Sequence, residues 1–256
     1  MTRVLLAIPV YNEARSIDRV IGAVRTYVGD VLVIDDGSTD ETPARLATHP
    51  VEVVRHCTNR GYGRSMQDIF HAAAADGFAW VITMDCDEQH EPRSIPLFLQ
   101  AIAADRADVV SGSRYLQASS QDTDAPAARR EVNRMLTAEI NARLGGVSAR
   151  LGDRPALGPG ITDAFCGFKA YRVSALRTLR LDVDGYDFPM QFWVQAVARG
   201  LRVDEIPVPR IYVDPNRSFG IGLDDPARRI ALYRETFERE LARCADLLAA
   251  HGAHGT

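Results

Sequence analysis

The sequence predicts an α/β protein, in which helices cover both faces of a mostly parallel sheet to give an α/β/α sandwich. Three observations lead to this prediction. Short apolar segments alternate with helix-like segments over residues 1–115. The apolar segments are nearly continuous, which is typical of strands that are buried on both faces. Acidic residues follow several of them directly, at the strand ends where open α/β sheets bind ligands.

The predicted elements follow the chain in order. Strands are expected at residues 4–8, 31–34, 51–54, 79–84, 108–111 and 203–207. Helices are expected from about residue 14, after residue 38, from about residues 62 and 92, and at 129–144, 188–199 and 224–250. Ser38 and Glu41 have the spacing of a capping box, and Pro92 suits a first helical position. The segment 117–127 is rich in small polar residues, and the segment 145–160 is rich in Gly and Pro. Both compositions predict mobile loops over a site.

Composition narrows the class of protein. The chain has 256 residues, of which 46% are hydrophobic and 25% charged, as expected for a soluble globular protein. The net charge of -4 gives no reason to expect nucleic acid as a partner. The four cysteines form no C-x-x-C pair, which argues against a zinc knuckle and favours a reducing cytoplasm. No apolar run has the length of a membrane span, so we expect a cytoplasmic protein.

The last part of the chain is predicted to be a separate element. We expect a catalytic domain at residues 1–222 and an amphipathic helix with a tail at 223–256. The apolar stripe of this helix consists of Ile230, Tyr233, Phe237, Leu241, Cys244 and Leu248. The stripe could lie on the inner face of a membrane as a peripheral contact. Interspersed acidic residues favour packing on the body of the protein or on a second subunit of a homodimer.

Two acidic segments follow predicted strands. "DCDEQ" places Asp85 and Asp87 so that both can converge on one side of an extended segment, with Gln89 two positions further on. Oxygen ligands of this kind suit Mg²⁺ or Mn²⁺ bridging to a diphosphate. The segment is not an EF-hand, since its sixth position is His90 instead of Gly. "DDGSTD" at 35–40 is good turn and capping chemistry, but adjacent carboxylates cost energy unless something compensates their charge.

The ordered motifs of the chain resemble a known family. "PVYNE" at 9–13, "DDGSTD" at 35–40, "DCDEQHEP" at 85–92, "SGSRY" at 111–115 and "DAFCGFKAYR" at 163–172 are similar to those of family 2 glycosyltransferases of GT-A fold. Within that family the pattern resembles the dolichol-phosphate mannose synthases and other polyprenyl-phosphate glycosyltransferases. The resemblance extends from about residue 3 to about residue 220.

The resemblance implies a set of site residues. The positions that match nucleotide-binding residues are Pro9, Tyr11, Glu13, Ile34, Asp36, Asp85 and Cys86, the last through its backbone. The positions that match metal ligands are Asp85, Asp87 and Gln89. The positions that match catalytic and phosphate-binding residues are Arg114, Arg129, Asp163 and Arg217. Asp163 is expected to act as a base if the acceptor is a hydroxyl, and as an orienting residue if it is a phosphate.

The resemblance also implies an activity. We expect metal-dependent transfer of a hexose, mannose or glucose, from GDP- or UDP-hexose to a polyprenyl phosphate, with inversion. The same donor chemistry on a soluble hydroxylated acceptor is the alternative, because Gln191 stands where the group often has an acidic residue and its late lysine is not found after Ser218. A sugar-phosphate nucleotidylyltransferase should have a Gly-rich, Arg-containing loop right after the first strand. The segment "PVYNEARS" at this place contains no Gly, which argues against that class. A binding module with an inactive site is the non-enzymatic alternative.

Overall fold

The computed structural model describes residues 2–123, 125–148, 160–212 and 222–253. Its strands are β1 (Val4–Val10), β2 (Val31–Asp35), β3 (Glu52–Arg55), β4 (Trp80–Thr83), β5 (Val109–Ser113), β6 (Lys169–Arg172) and β7 (Val203–Pro207). Its helices are α1 (Ile17–Val24), α2 (Thr42–Leu46), α3 (Tyr62–Ala75), α4 (Ile95–Ala104), α5 (Ala127–Ser148), α6 (Val173–Leu176), α7 (Phe188–Ala198), α8 (Pro226–Arg243) and α9 (Ala245–Ala253). A 3₁₀ turn at Pro92–Ser94 precedes α4.

The seven strands form one sheet with the order β3-β2-β1-β4-β6-β5-β7. Strand β6 runs antiparallel to both of its neighbours, while the other paired strands are parallel. The prediction of a mostly parallel sheet is therefore confirmed. Its predicted strands all occur, with ends that differ by a few residues.

Two apolar layers cover the sheet, one on each face. Phe70 of α3, Trp193 of α7 and Phe237 of α8 belong to the core on one face. Ile21 of α1 and Phe98 of α4 belong to the core on the other. Burial of aromatic and branched side chains on both faces explains why β1, β2 and β4 carry almost no polar residues. The predicted α/β/α sandwich is confirmed.

Strand β6 was not predicted from the sequence. It has the sequence "KAYR", whose two basic residues hide the apolar pattern of a central strand. Arg172 pairs with Asp108 at 2.9 Å, and its guanidinium lies 4.7 Å from the Trp80 ring. An antiparallel strand between two parallel ones follows from tertiary pairing, which local sequence patterns do not contain.

The register of the sheet brings the predicted polar strand ends to one edge. Val10 of β1 lies opposite Asp35 of β2, and Ala7 of β1 lies opposite Thr83 of β4. Because these strands are parallel, the segments that follow them leave the same edge of the sheet. The acidic loops therefore have common access to one space.

The loops after β1 and β2 are tied to each other, and this corrects the predicted capping box. Helix α2 begins at Thr42, and Glu41 at its amino end makes no side-chain capping hydrogen bond. The Ser38 hydroxyl instead accepts a hydrogen bond from the Asn12 backbone N–H at 2.9 Å. Asn12 has a positive φ of 57° and accepts from the Thr39 backbone N–H at 2.8 Å. Ser38 thus holds two loops together instead of starting a helix.

The segment predicted as one helix at 224–250 forms α8 and α9, which meet at Cys244. Tyr233 and Phe237 of α8 are buried in the main core, and Ile230, Leu241 and Leu248 pack against it. The apolar stripe therefore packs on the body of the protein. The boundary at 222/223 stays a prediction. In the part of the chain that the structure describes, no helix has the length and apolar character needed to cross a membrane.

Of the two predicted loops, the structure describes most of the first, 117–127, and only the two ends of the second, 145–160. Asp122 accepts hydrogen bonds from the backbone N–H groups of Ser119 at 3.1 Å and Arg210 at 2.8 Å, which ties the first loop to the segment after β7. Helix α5 starts two residues before its predicted start and continues to Ser148. Residues 149–159 of the second predicted loop lie outside the described residues.

Candidate active site

A cavity of about 1050 Å³ opens at the carboxyl edge of the sheet. The segments after β1, β2, β3 and β4 form one side of it. Helices α5, α7 and α8 form much of the other side. Most of the predicted site residues line this cavity: Pro9, Tyr11, Glu13, Asp36, Asp85, Cys86, Asp87, Gln89, Arg114 and Arg129.

The loop after β1 contributes Tyr11 and Glu13. Tyr11 is 45% exposed and lines the cavity. Glu13 is almost buried and accepts a hydrogen bond from the Ser16 hydroxyl at 3.0 Å, while its backbone N–H donates to Thr42 Oγ1 at 2.8 Å. The carboxylate is therefore held in place at the cavity edge.

Asp36 is held by a buried network. Its Oδ1 accepts from the Arg60 backbone N–H at 2.8 Å and lies 2.6 Å from His56 Nδ1. Its Oδ2 accepts from the Gly61 backbone N–H at 2.9 Å. The other ring nitrogen of His56 lies 2.9 Å from Asp68 Oδ2. Sequence reasoning missed His56, since a lone histidine after a strand carries no recognisable pattern.

Two residues near Asp36 do not line the cavity. Ile34, which matches a nucleotide-binding position, is fully buried in the core because β2 is covered on both faces, and its role stays a prediction. Asp35 is also fully buried: it accepts from the Ser38 N–H at 2.9 Å and pairs with Arg55 at 3.0 Å. The charge of the adjacent carboxylates is thus compensated by protein groups.

The "DCDEQ" loop places two carboxylates and an amide at the cavity. Asp87 Oδ1 accepts from the Gln89 backbone N–H at 3.1 Å, and Glu88 between them has a positive φ of 62°. The Cys86 thiol is buried, 3.7 Å from the Ser16 hydroxyl. Among the described residues no three His, Cys, Asp or Glu side chains converge as a complete metal cage. Two carboxylates and an amide fit Mg²⁺ or Mn²⁺, because such ions are commonly bound by one or two carboxylates together with substrate phosphates.

His90 supports this loop from behind. It is buried, and its Nδ1 accepts a hydrogen bond from the Asp85 backbone N–H at 2.9 Å. Burial is the main cause that lowers the pKa of His90 to about 4. A neutral imidazole therefore fixes the loop at neutral pH.

Arg114 and Asp163 form a buried ion pair. Arg114 donates to Asp163 from Nε at 2.7 Å and from Nη2 at 2.9 Å, and Asn133 Nδ2 donates to the same carboxylate at 2.7 Å. Burial acts to raise the pKa of Asp163, but the charge and hydrogen bonds of Arg114 outweigh it and lower the pKa to about 2. Asp163 is fully buried and is not among the described residues that line the cavity. Its carboxylate holds the Arg114 guanidinium in place, and its expected role, as an orienting residue or as a base, stays a prediction.

Two further predicted arginines have different outcomes. Arg129, on the first turn of α5, lines the cavity. Arg217 lies outside the described residues, so its role stays a prediction.

Sequence reasoning missed an apolar side of the cavity, which we call the aromatic wall. It consists of Tyr62, Phe165, Tyr186, Phe188, Phe192, Trp193 and Tyr233. Lys169 lies beside this wall, with its ammonium 5.5 Å from the Trp193 ring centre and donating to the Cys166 carbonyl. Burial lowers the pKa of Lys169. Phe192 and Trp193 of this wall are also buried, so their sequence pattern does not differ from that of ordinary core residues.

The fold and the site together define a class of enzyme. A sheet of this order, with a D-x-D loop and a nucleotide-type pocket at its carboxyl edge, is that of a GT-A glycosyltransferase. The chain belongs to Glycosyl transferase family 2, whose model matches residues 6–180.

Curated relatives and solved structures agree with this assignment. The chain is 32% identical over 216 residues to an undecaprenyl-phosphate mannosyltransferase of Micrococcus luteus, covering 80% of this chain and 82% of that protein. It is 30% identical over 217 residues to a polyprenol monophosphomannose synthase of Mycolicibacterium smegmatis, covering 80% and 76%.

Among solved structures, a glucosyl-3-phosphoglycerate synthase of Mycobacterium tuberculosis in complex with UDP has a TM-score of 0.68 at 19% identity, covering 95% of this chain and 80% of that one. The same enzyme with Mn²⁺, UDP and glucosyl-3-phosphoglycerate has a TM-score of 0.67 at 20% identity, with coverage of 95% and 80%. At this identity the likeness shows the fold.

Proposed function

We propose that this glycosyltransferase moves a hexose, with mannose as the first candidate, from a nucleotide diphosphate sugar to a polyprenyl phosphate. Transfer uses Mg²⁺ or Mn²⁺ and inverts the sugar. The two relatives named above support the acceptor and the sugar, because their similarity covers most of each chain. We further propose that the protein acts at the cytoplasmic face of a membrane, where a lipid acceptor is available.

The observation that carries the proposal is the division of the cavity into two chemically different sides. The strand-end side presents Asp36, Asp85 and Asp87, which suit a nucleotide and a metal-bound diphosphate. The helical side presents the aromatic wall and Arg129 of α5, and Arg114, which follows β5, lines the same cavity. An apolar surface beside guanidinium groups suits a phosphate that is attached to an apolar chain.

The donor is bound by the strand-end side. Tyr11 stacks on the base, and Asp36 and Glu13 accept hydrogen bonds from base or ribose. Pro9 and Cys86 contribute backbone groups. Asp85, Asp87 and Gln89 would hold the metal ion, which would offset the charge that grows on the leaving diphosphate.

The acceptor requires positioning more than activation. A phosphate monoester is ionised at neutral pH, so no residue has to take a proton from it. This agrees with the burial of Asp163, whose carboxylate is turned to Arg114. Arg114 and Arg129 bind phosphate oxygens through their forked donors, a geometry that guanidinium groups match well. If the acceptor were a hydroxyl, a different carboxylate would have to serve as base.

A partition assay tests the proposal. Purified protein is incubated with Mg²⁺, undecaprenyl phosphate and radiolabelled GDP-mannose, and in parallel with labelled UDP-glucose. We expect label from one donor to enter the organic phase as a glycolipid that mild acid releases. The Asp87→Ala variant is the control and should give no product. Labelled product that stays in water with a soluble acceptor, and none in the organic phase, would favour the soluble-acceptor alternative instead.

A further inference from the structure

The first half of helix α8 takes part in the cavity. Arg229, Leu232 and Tyr233 of this helix line it, as does Leu223 from the turn before it. Arg229 is only 4% exposed, and its Nη1 donates a hydrogen bond to the Leu223 carbonyl at 2.8 Å. This contact fixes the guanidinium at the cavity surface, although α8 follows the part of the chain that the family model matches.

Polar contacts buried beneath α8 hold it in place. Glu240 is fully buried and accepts from Gln191 Nε2 at 2.9 Å and from Gln195 Nε2 at 3.0 Å, both on α7. The Thr236 hydroxyl donates to Asp187 Oδ2 at 2.6 Å. Because these donors and acceptors are matched and buried, α8 cannot slide along α7 without leaving polar groups unsatisfied. Arg229 is therefore presented to the cavity in a defined position.

The wall next to Arg229 is aromatic. The Tyr233 ring stacks on the Phe165 ring with 5.2 Å between their centres. The Phe165 backbone N–H donates to Asp163 Oδ1 at 3.2 Å, so this stack adjoins the ion pair of Arg114 and Asp163. An anion bound by Arg229 would thus have apolar surface beside it and Arg114 nearby.

A second arginine influences Arg229. Burial is the main cause that lowers the pKa of Arg229, and the charge of Arg129 acts in the same direction. Tyr233, Asp224 and Asp225 act in the opposite direction. Since the charge of Arg129 disfavours the charged form of Arg229 and both side chains line one cavity, an anion bound near them would stabilise charged Arg229.

We infer that Arg229 is a ligand of the acceptor phosphate, and that α8 completes the acceptor site with Tyr233 and Leu232 against the first apolar units of the lipid. The inference rests on the proposed function for the identity of the acceptor. It goes beyond that function by making the carboxyl-terminal helix part of the substrate site.

The test compares Arg229→Gln with Arg228→Gln, an exposed arginine on the same helix. Three quantities are measured for each variant: the KM for undecaprenyl phosphate, the KM for the nucleotide sugar, and the Kd for farnesyl phosphate by calorimetry. Loss of a charged hydrogen-bond donor should raise the acceptor KM and the farnesyl phosphate Kd about tenfold in Arg229→Gln. The nucleotide-sugar KM should stay within about twofold, as should every value for Arg228→Gln.

Further arms separate the explanations. Arg229→Lys keeps the charge without the forked donors, so it should fold and show a smaller rise in acceptor KM. Farnesol and inorganic phosphate should each bind far more weakly than farnesyl phosphate. Equal acceptor KM values in the position 229 and position 228 variants would overturn the inference, as would an equal rise in the KM of the nucleotide sugar.

Failure of the proposed function would look different. In that case the wild-type protein would transfer no sugar to undecaprenyl phosphate. A wild-type protein that still bound farnesyl phosphate about tenfold more tightly than Arg229→Gln would uphold the phosphate site alone. A wild-type protein that transferred sugar, with both variants unaffected, would refute only the role of Arg229.

Discussion

Replacing Asp163 by Asn should separate the positioning of Arg114 from proton transfer. The substitution keeps the shape of the side chain but removes the charge opposite Arg114, whose guanidinium donates to it at 2.7 and 2.9 Å. Asp163 is fully buried and Arg114 is 9% exposed, so water cannot replace the lost partner. Breaking one side of a buried ion pair costs about 3–5 kcal/mol, which is the loss that we expect in the free energy of unfolding at pH 7.

The lowered pKa of Asp163 gives a second estimate of how much the ion pair stabilises the folded protein, and it predicts how this stability depends on pH. The pKa of Asp163 is lowered from 3.8 to about 2. A carboxyl group whose pKa is lowered by folding stabilises the folded state above pH 3.8, and this stabilisation is lost as pH falls through about 2. A difference of one in a pKa is worth about 1.4 kcal/mol, so the contribution at pH 7 is about 2 kcal/mol. About 1 kcal/mol of it should disappear between pH 5 and pH 3 in the wild type and not in the variant.

Urea denaturation at pH 7, 5 and 3 measures both effects. The control is Glu131→Gln, which breaks the exposed pair between Glu131 and Arg134 and should leave stability unchanged. Transfer activity of Asp163→Asn should fall because Arg114 loses its fixed position, while nucleotide binding should persist. If the Asp163→Asn protein is as stable as the wild type at pH 7 and its stability depends on pH in the same way, the ion pair with Arg114 does not stabilise the fold as argued.

Three further substitutions test other parts of the site. Asp87→Ala should abolish turnover and leave the thermal unfolding midpoint unchanged; near-normal activity would contradict the metal assignment. His56→Asn should raise the Kd for the nucleoside diphosphate about tenfold with a smaller effect on kcat, because one donor to Asp36 is lost, and a calorimetric titration checks this. Gln191→Glu puts a carboxylate where the Gln191 amide now lies 2.9 Å from Glu240. At pH 7 it should lower the free energy of unfolding in urea by at least about 2 kcal/mol, and acidic pH should restore part of this loss by protonating the group. A variant as stable as the wild type at pH 7 and at acidic pH would speak against the buried network.

The sheet and the acidic edge could be predicted because each is encoded by short patterns of consecutive residues. Strands β1, β2 and β4 are short apolar runs, and the polar residues that follow each of them form one continuous segment. Once parallel pairing is assumed, the geometry of the sheet alone brings "PVYNE", "DDGSTD" and "DCDEQ" to one edge. Asp36, Asp87 and Gln89 therefore lie at the cavity as expected.

The acceptor side could not be predicted because distant segments build it. The aromatic wall joins residues from α3, α7, α8 and the segment before β6, and none of them has a pattern that differs from core packing. Asp163 matched a functional position by motif, but only the structure shows that its carboxylate is turned to Arg114. His56 and Lys169 are single residues whose importance depends on what they contact, which is a property of the folded chain.

Nucleotide-dependent thermal stabilisation tests the central claim that this edge of the sheet holds a metal-bridged nucleoside diphosphate. The unfolding midpoint is measured with GDP and with UDP, each with and without Mn²⁺, for the wild type and for Asp87→Ala. A ligand that binds only the folded state at 100 times its Kd adds about 2.7 kcal/mol of stability. We expect the midpoint to rise by several degrees with one nucleotide, only in the presence of Mn²⁺ and only in the wild type. No rise with either nucleotide, or the same rise without Mn²⁺ and in Asp87→Ala, would contradict it.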